Sequence, residues 1–242
     1  MLDADAVAPP ASLRVQRFDW PGDTRIDPER YTSRAFARLE AERLWPKVWQ
    51  MACRLEHLSE VGSFVTYEVA DVGLIVIRTD EHTIKAFHNS CLHRGTTLAE
   101  GDGKVGVLRC PFHAWTWNLD GTLRSLPGDW DFGHVDREAM RLPEARVATW
   151  GGFVFVNPDP DAEPFERYSH PLAEHFVDHP LDDRYLAAHA GRIIEANWKA
   201  AMEAFLETYH VAATHPHTVR FANDNDAQQD TLGPNLTRML EA

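Results

Sequence analysis

A chain of 242 residues with 44% hydrophobic side chains holds enough apolar material for one large domain or two small ones, which excludes wholesale disorder. A formal net charge of −13, with no long basic run, argues against nucleic acid or an anionic membrane surface as partner. No apolar stretch approaches the ~20 residues of a membrane helix, and three cysteines are too few for a disulfide framework, so a cytoplasmic, reducing setting is expected.

The acidic opening from Met1 to Ala11 lacks the basic and apolar regions of a secretory signal and reads as a frayed tail. Asp27-Pro28 then opens a helical stretch; Ala35, Phe36, Leu39, Arg43 and Leu44 follow at roughly helical spacing, and Pro46 marks a break. From Gly62 the chain turns β-branched and aromatic. Strands are predicted at Phe64–Val69, Gly73–Arg78, Thr83–Phe87, Val105–Arg109 and Trp150–Val156, with a hairpin signal at Asn118-Leu119-Asp120-Gly121. Pro158, Pro160 and Pro164 punctuate the end of this region. Beyond them the pattern predicts a short helical stretch, a strand near Gly191–Ala196, and a strong helix from about Trp198 to Tyr209, buried by Trp198, Met202, Phe205, Leu206 and Tyr209. The expected division is 1–46, a tail and helix; 47–160, a small antiparallel β domain; and 161–242, a second domain.

Two loops carry the first chemistry: Cys91-x-His93 and, after sixteen intervening residues, Cys110-x-x-His113. Each supplies one thiolate and one imidazole. That set suits a Rieske [2Fe–2S] cluster, in which two Cys hold one iron and two His the other. A zinc site would pair cysteine with cysteine and histidine with histidine at wider spacing, and the alternating order here does not fit it. Gly95 and Pro111 suit tight loops that aim backbone N–H groups at the sulfurs, and Phe112 and Trp115 are placed to shield the cluster. Cys53 stands apart.

The second site lies in the segment Asn197 to His215. On a continuous helix Glu203, Glu207 and His210 share a face, and buried carboxylates and imidazole on such a helix are costly unless paired or metal-bound. His215 follows five residues after His210. Two imidazoles plus a carboxylate form the facial triad of non-haem Fe(II) oxygenases. The plainer alternative is a helix that ends in one histidine and a loop that carries another; His217 has no role.

Taken together, C-L-H-R-G-T-T-L, C-P-F-H-A-W and N-W-K-A-A-M-E-A-F-L-E-T-Y-H-V-A-A-T-H-P resemble the α subunit of the Rieske non-haem iron ring-hydroxylating oxygenases, from about Tyr31 to the end. The resemblance implies an α+β fold: an antiparallel β Rieske domain inserted near the N-terminus of a helix-grip, START-type catalytic domain that is incomplete here. It implies that Cys91, His93, Cys110 and His113 bind the [2Fe–2S] cluster and that His210 and His215 bind a mononuclear Fe(II). Glu207 takes the place of the family's bridging carboxylate, pairing with His113 of an adjacent chain. The implied partners are an NAD(P)H-dependent reductase, with or without a ferredoxin, O₂ and a small organic substrate, aromatic or polycyclic. The implied assembly is a homotrimer or α3β3.

Three departures stand out. The bridge is Glu207 where many members have Asp; Glu occurs in branches that act on quaternary ammonium compounds. Ala204 replaces a common Asn. The third iron ligand of the family lies far downstream of the second His, past Ala242. Asp224, Asp226 and Asp230 are within reach in sequence but read as a polar loop. The expected function is therefore electron relay through the cluster to an iron that activates O₂ for hydroxylation, with a truncated electron-transfer module as the alternative.

Overall fold

The computed structural model describes residues 25–219 and 227–240, so the acidic tail, Asp224 and Asp226 lie outside the described residues. The chain divides into two compact units: Leu39–Glu163 with Leu181–Ala188, and Met1–Arg38 with Pro164–Pro180 and His189–Ala242.

Helix α1 (Glu29–Thr32) follows Pro28 and breaks at Ser33, whose extended ψ of 124° ends it; α2 (Arg34–Arg43) continues to a 3₁₀ turn at Trp45–Lys47. The first unit then lays down β1 (Gln50–Arg54), β2 (Ser63–Val69), β3 (Val72–Arg78), β4 (Ile84–His88) and β5 (Asp102–Lys104). The short strands β6 (Leu108–Arg109), β7 (Thr116–Trp117) and β8 (Leu123–Ser125) follow, then β9 (Glu144–Trp150) and β10 (Phe153–Asn157). Seven strands form one antiparallel sheet in the order β1-β10-β9-β4-β3-β2-β5, and β6-β7-β8 form a second.

The uninterrupted run Leu74-Ile75-Val76-Ile77 shows why this sheet is stable. Alternate side chains of a strand point to opposite faces. Ile75 and Ile77 join a core with Phe87, Leu108, Trp115 and Trp117, while Leu74 and Val76 join another with Leu58, Val65, Val154 and Val156. Both faces are buried, and full burial of each such side chain contributes about 1.5–3 kcal/mol. Cys91 and Cys110 belong to the first core, so the motif loops are anchored from below. Cys53 packs against the second, and burial pushes its thiol up to about 12, leaving it protonated and unreactive at neutral pH.

Glycines set two turns. The predicted strand Trp150–Val156 is instead a hairpin: Gly151 and Gly152 adopt φ of 58° and 78°, and β9 pairs with β10 across them. A Gly-Gly pair at positive φ is a tight-turn signal that outweighs the apolar run around it. At the Asn118–Gly121 turn, Gly121 has φ of 86°, and an added Cβ would stand 2.5 Å from the Phe87 ring. Gly121→Ala is accordingly expected to cost about 2–4 kcal/mol, from backbone strain and overpacking together, read as a lower urea midpoint at unchanged slope.

The second unit holds α3 (Phe165–Tyr168), α4 (Leu172–His175), α5 (Trp198–Glu203), α6 (Val211–Thr214) and the hairpin β11 (Gln228–Thr231) with β12 (Thr237–Leu240). Two expectations fail here. No strand forms at Gly191–Ala196, because nothing among the described residues pairs with it and a lone strand leaves its backbone groups unmet. The long helix stops at Glu203: Phe205 N–H bonds to the Met202 carbonyl and the chain turns. Met202, Phe205, Leu206 and Tyr209 are exposed rather than buried, so among the described residues the apolar stripe meets no surface that would carry the helix further.

Candidate metal centres

The Cys91 loop closes on itself. Cys91 N–H donates to the Thr96 carbonyl (2.9 Å), and Gly95 N–H to the Cys91 carbonyl (2.8 Å), with Gly95 at φ of 72°. Asn89, a buried residue with no part in the motif, holds the far side: its Oδ1 accepts from Leu98 and Ala99 N–H, and its Nδ2 donates to the Ala99 carbonyl. The second loop repeats the device. Cys110 N–H donates to the Trp115 carbonyl (2.8 Å) and Ala114 N–H to the Cys110 carbonyl (3.0 Å), with Ala114 forced to φ of 59°.

Backbone N–H groups of His93 and Arg94 point to the Cys91 sulfur, and those of Phe112 and His113 to the Cys110 sulfur. The two thiols lie within hydrogen-bonding reach of each other. Burial pushes both upward. At Cys91 it prevails, whereas at Cys110 the His113 and Phe112 N–H groups, with help from Cys91 and Thr96, hold the thiol below its ordinary range. The imidazoles complete the set: the His93 and His113 ring centroids are 4.6 Å apart. His93 Nδ1 is buried without a hydrogen-bond partner, a loss of about 1–3 kcal/mol unless a metal takes the lone pair. Two sulfurs and two imidazoles therefore converge as a [2Fe–2S] unit requires. Among the described residues no three His, Cys, Asp or Glu surround one point.

Trp115 is buried and stacks on His93 at 4.9 Å with planes 4° apart, as a shield should. Phe112 lies 3.9 Å from the His113 ring yet remains 59% exposed. Phe132, which no motif flagged, meets His93 edge-on at 6.0 Å and Trp115 at 5.5 Å.

At the second site, His210 and His215 sit at the two ends of α6, their rings 5.5 Å apart. Glu207 reaches His210 twice: Oε2 accepts the backbone N–H (3.1 Å), and Oε1 lies 2.6 Å from Nδ1. That bond holds the carboxyl of Glu207 below its usual range. It also fixes the tautomer, so that Nε2 carries the free lone pair a metal needs. Glu203 does not share this face; it is exposed and accepts from the Tyr31 hydroxyl at 2.8 Å. His217 lies 6.2 Å from His215, and Ala204 caps the end of α5. Asp230 is buried and committed to Arg238, whose Nε donates to it at 2.9 Å, which removes it as a free ligand. Among the described residues, His210 and His215 are thus candidates for two donors of a facial triad, and no third stands beside them.

The family described as "Rieske [2Fe-2S] domain" matches residues 48–132, and that described as "Ring hydroxylating alpha subunit (catalytic domain)" matches 161–241. The carnitine monooxygenase oxygenase subunit of Escherichia coli K12 is 31% identical over 189 residues, 77% of this chain and 50% of that protein. The chloroplastic choline monooxygenase of Beta vulgaris is 31% identical over 220 residues, 86% of this chain and 49% of that protein. A solved quaternary ammonium Rieske monooxygenase, described in terms of carnitine oxidation and inter-subunit electron transfer, superposes with a TM-score of 0.76. It is 29% identical, and the match covers 83% of this chain and 56% of the other. The chain thus spans about half the length of the curated relatives it matches. Their names point to quaternary ammonium compounds, and the expected aromatic or polycyclic substrate finds no support in them. Rieske and catalytic domains together imply a [2Fe–2S] cluster and a mononuclear iron. With both domains matched in order, the chain belongs to the Rieske non-haem iron oxygenase α-subunit family.

Proposed function

We propose that this chain is the cluster-bearing and iron-binding part of a Rieske monooxygenase that acts on a quaternary ammonium compound. Cys91, His93, Cys110 and His113 hold the cluster within a domain spanning 47–160. His210 and His215 hold the iron in the part spanning 161–242. When bound, these groups supply one-electron relay and O₂ activation. Electrons come from NAD(P)H through a separate reductase, with or without a ferredoxin. One oxygen atom enters a C–H bond of the substrate and the other leaves as water. Its three cysteines are free of disulfides, which suits a reducing cytoplasm.

The single observation that carries this reading is the 2.6 Å bond between Glu207 and His210 Nδ1. A pure electron carrier has no use for a carboxylate that orients an imidazole beside a second one. Glu207 serves as a positioning residue. One oxygen orients His210; in a homotrimer the same carboxylate also reaches His113 of an adjacent copy, joining the two metal sites by hydrogen bonds. Glu at this position, rather than Asp, fits the quaternary ammonium branch to which the relatives point.

Glu207→Gln is expected to retain both metals but to slow electron transfer from cluster to iron by about 10–100-fold. Single-turnover mixing of the reduced protein with O₂ and substrate reads that step, and unchanged rates would remove the bridge. The substrate class is tested by O₂ uptake in the presence of the reductase. Carnitine, choline and glycine betaine are compared with naphthalene, and uptake with naphthalene alone would sink the assignment. The described residues bring together only two donors, His210 and His215, and that favours a second reading, a Rieske electron-transfer module without turnover. Two irons per chain would establish the module, and three the oxygenase.

A further inference from the structure

The cluster has two imidazoles, and the proposed function uses only one of them as the way out: His113, towards Glu207 of the adjacent copy. The other, His93, faces a different set of groups. Phe132 meets it edge-on at 6.0 Å, and His134 meets Phe132 at 6.1 Å. Phe132 is half-buried and His134 exposed, so this line of rings runs from the cluster to solvent. Two residues before Phe132 in the chain, Trp130 is 82% exposed in a 3₁₀ turn (Asp129–Asp131).

That turn is firmly built. Gly128 enters it at φ of 72°; Asp131 N–H donates to the Gly128 carbonyl, Phe132 N–H to Asp129, and Val135 N–H to Phe132. An indole held out in water on a hydrogen-bonded turn contributes nothing to the core. Tryptophan is among the residue types enriched at the energetic centres of protein–protein contacts. The stretch Asp129–Glu138 also carries Asp129, Asp131, Asp136 and Glu138 against one cation, Arg137, which is spent on Asp129 at 3.0 Å. An exposed indole flanked in sequence by Asp129 and Asp131, two positions from the Phe132 ring that meets a cluster imidazole, fits a partner with a basic rim around an apolar centre.

We infer that the Trp130–His134 face is the docking surface for the electron donor, a redox protein with a positively charged rim, and that electrons reach the cluster through the His93 side. The inference rests on the relay function proposed above and assigns separate faces to input and output. One electron leaves the reduced flavin or iron–sulfur centre of the donor and reduces the oxidised iron pair; no bond forms or breaks in the chain. Steering by unlike charges makes the encounter fast and salt-sensitive.

The test uses the full chain with its cluster and an NADH-driven flavin and iron–sulfur reductase, selected because it reduces the wild-type cluster in stopped flow. Binding of the oxidised reductase is measured by biolayer interferometry, and the second-order reduction rate by cluster absorbance. Trp130→Ala is expected to weaken binding and lower that rate about tenfold. Asp131→Lys should lower both and flatten their dependence on salt, and Trp130→Phe should restore part of the loss. Dithionite reduction and the visible spectrum should stay as in the wild type. Equal affinity and rate in wild type and variants would overturn the docking face while leaving the relay intact. A wild-type cluster that no such reductase reduces would instead overturn the relay itself. A variant that changes only the oligomeric mass would make this face a contact between copies, and the inference would fall.

Discussion

Cys110→Ala should strip the chain of its entire iron–sulfur unit: both cluster irons and the acid-labile sulfide gone, the visible colour with them. The loss is total because each iron has only two protein donors, and a [2Fe–2S] rhomb held through three points has an open coordination site exposed to water and oxygen. The polypeptide feels the change as well. Cys91 and Cys110 lie in the first core, and their loops are shaped by their own hydrogen bonds at Gly95 and Ala114. Metal–ligand bonds tie the two loops together, and their binding free energy is also folding free energy. Without them the buried Nδ1 of His93 has no partner, and the Cys91 thiol loses the Cys110 sulfur that lies within its reach. The apparent melting temperature is expected to fall by about 10 °C or more, equivalent to several kcal/mol in a chain of this size. Iron and sulfide analysis with a thermal scan checks both parts. Full iron and sulfide in the alanine variant would remove Cys110 from the ligand set and the cluster assignment with it.

His210→Ala should do the opposite: leave the colour and sulfide untouched and remove only the mononuclear iron. His210 combines two functions at one position. Its ring is the donor that Glu207 orients, and its backbone begins α6, at whose other end His215 stands. Alanine deletes one imidazole and releases Glu207 from its partner, while the four-residue helix can persist. Loss of an orienting partner alone costs about 10–100-fold in metal affinity, and loss of the donor itself costs more than that. The Glu207 carboxyl should rise back towards its ordinary value as the bond that depresses it disappears. The expected result is two irons per chain, an unaltered visible spectrum and no substrate-dependent O₂ consumption. Simultaneous loss of both metals would show that the two sites do not fold independently.

The sequence reveals this architecture unevenly, for physical reasons. β2, β3 and β4 were legible because runs such as Leu74-Ile75-Val76-Ile77 combine β-branched side chains with length too short for a helix. The loop chemistry was legible because one Cys and one His per tight turn is a local demand, met by Gly95 and by a short x-x spacer. The turn at Gly151-Gly152 was visible in the letters but masked by the apolar residues on both sides. The helix from Trp198 is shorter than its period implies. The period of Trp198, Met202, Phe205, Leu206 and Tyr209 is real, yet periodicity states only what a helix could bury, and here all of them but the half-buried Trp198 meet water. Phe132 and Asn89 were invisible in principle. One packs on a histidine 39 positions earlier and the other spans a loop, and neither residue type announces such a contact from sequence alone.

Ile193 stands 94% exposed, and Ile194, Phe205 and Tyr209 are bare in the same unit. Exposed apolar side chains are what chaperones and hydrophobic resins recognise. In practice the isolated polypeptide will be a poor colloid. It should bind dyes such as anilinonaphthalene sulfonate in its folded form and self-associate as it is concentrated. Its solubility curve, more than its melting point, will set the conditions for handling it.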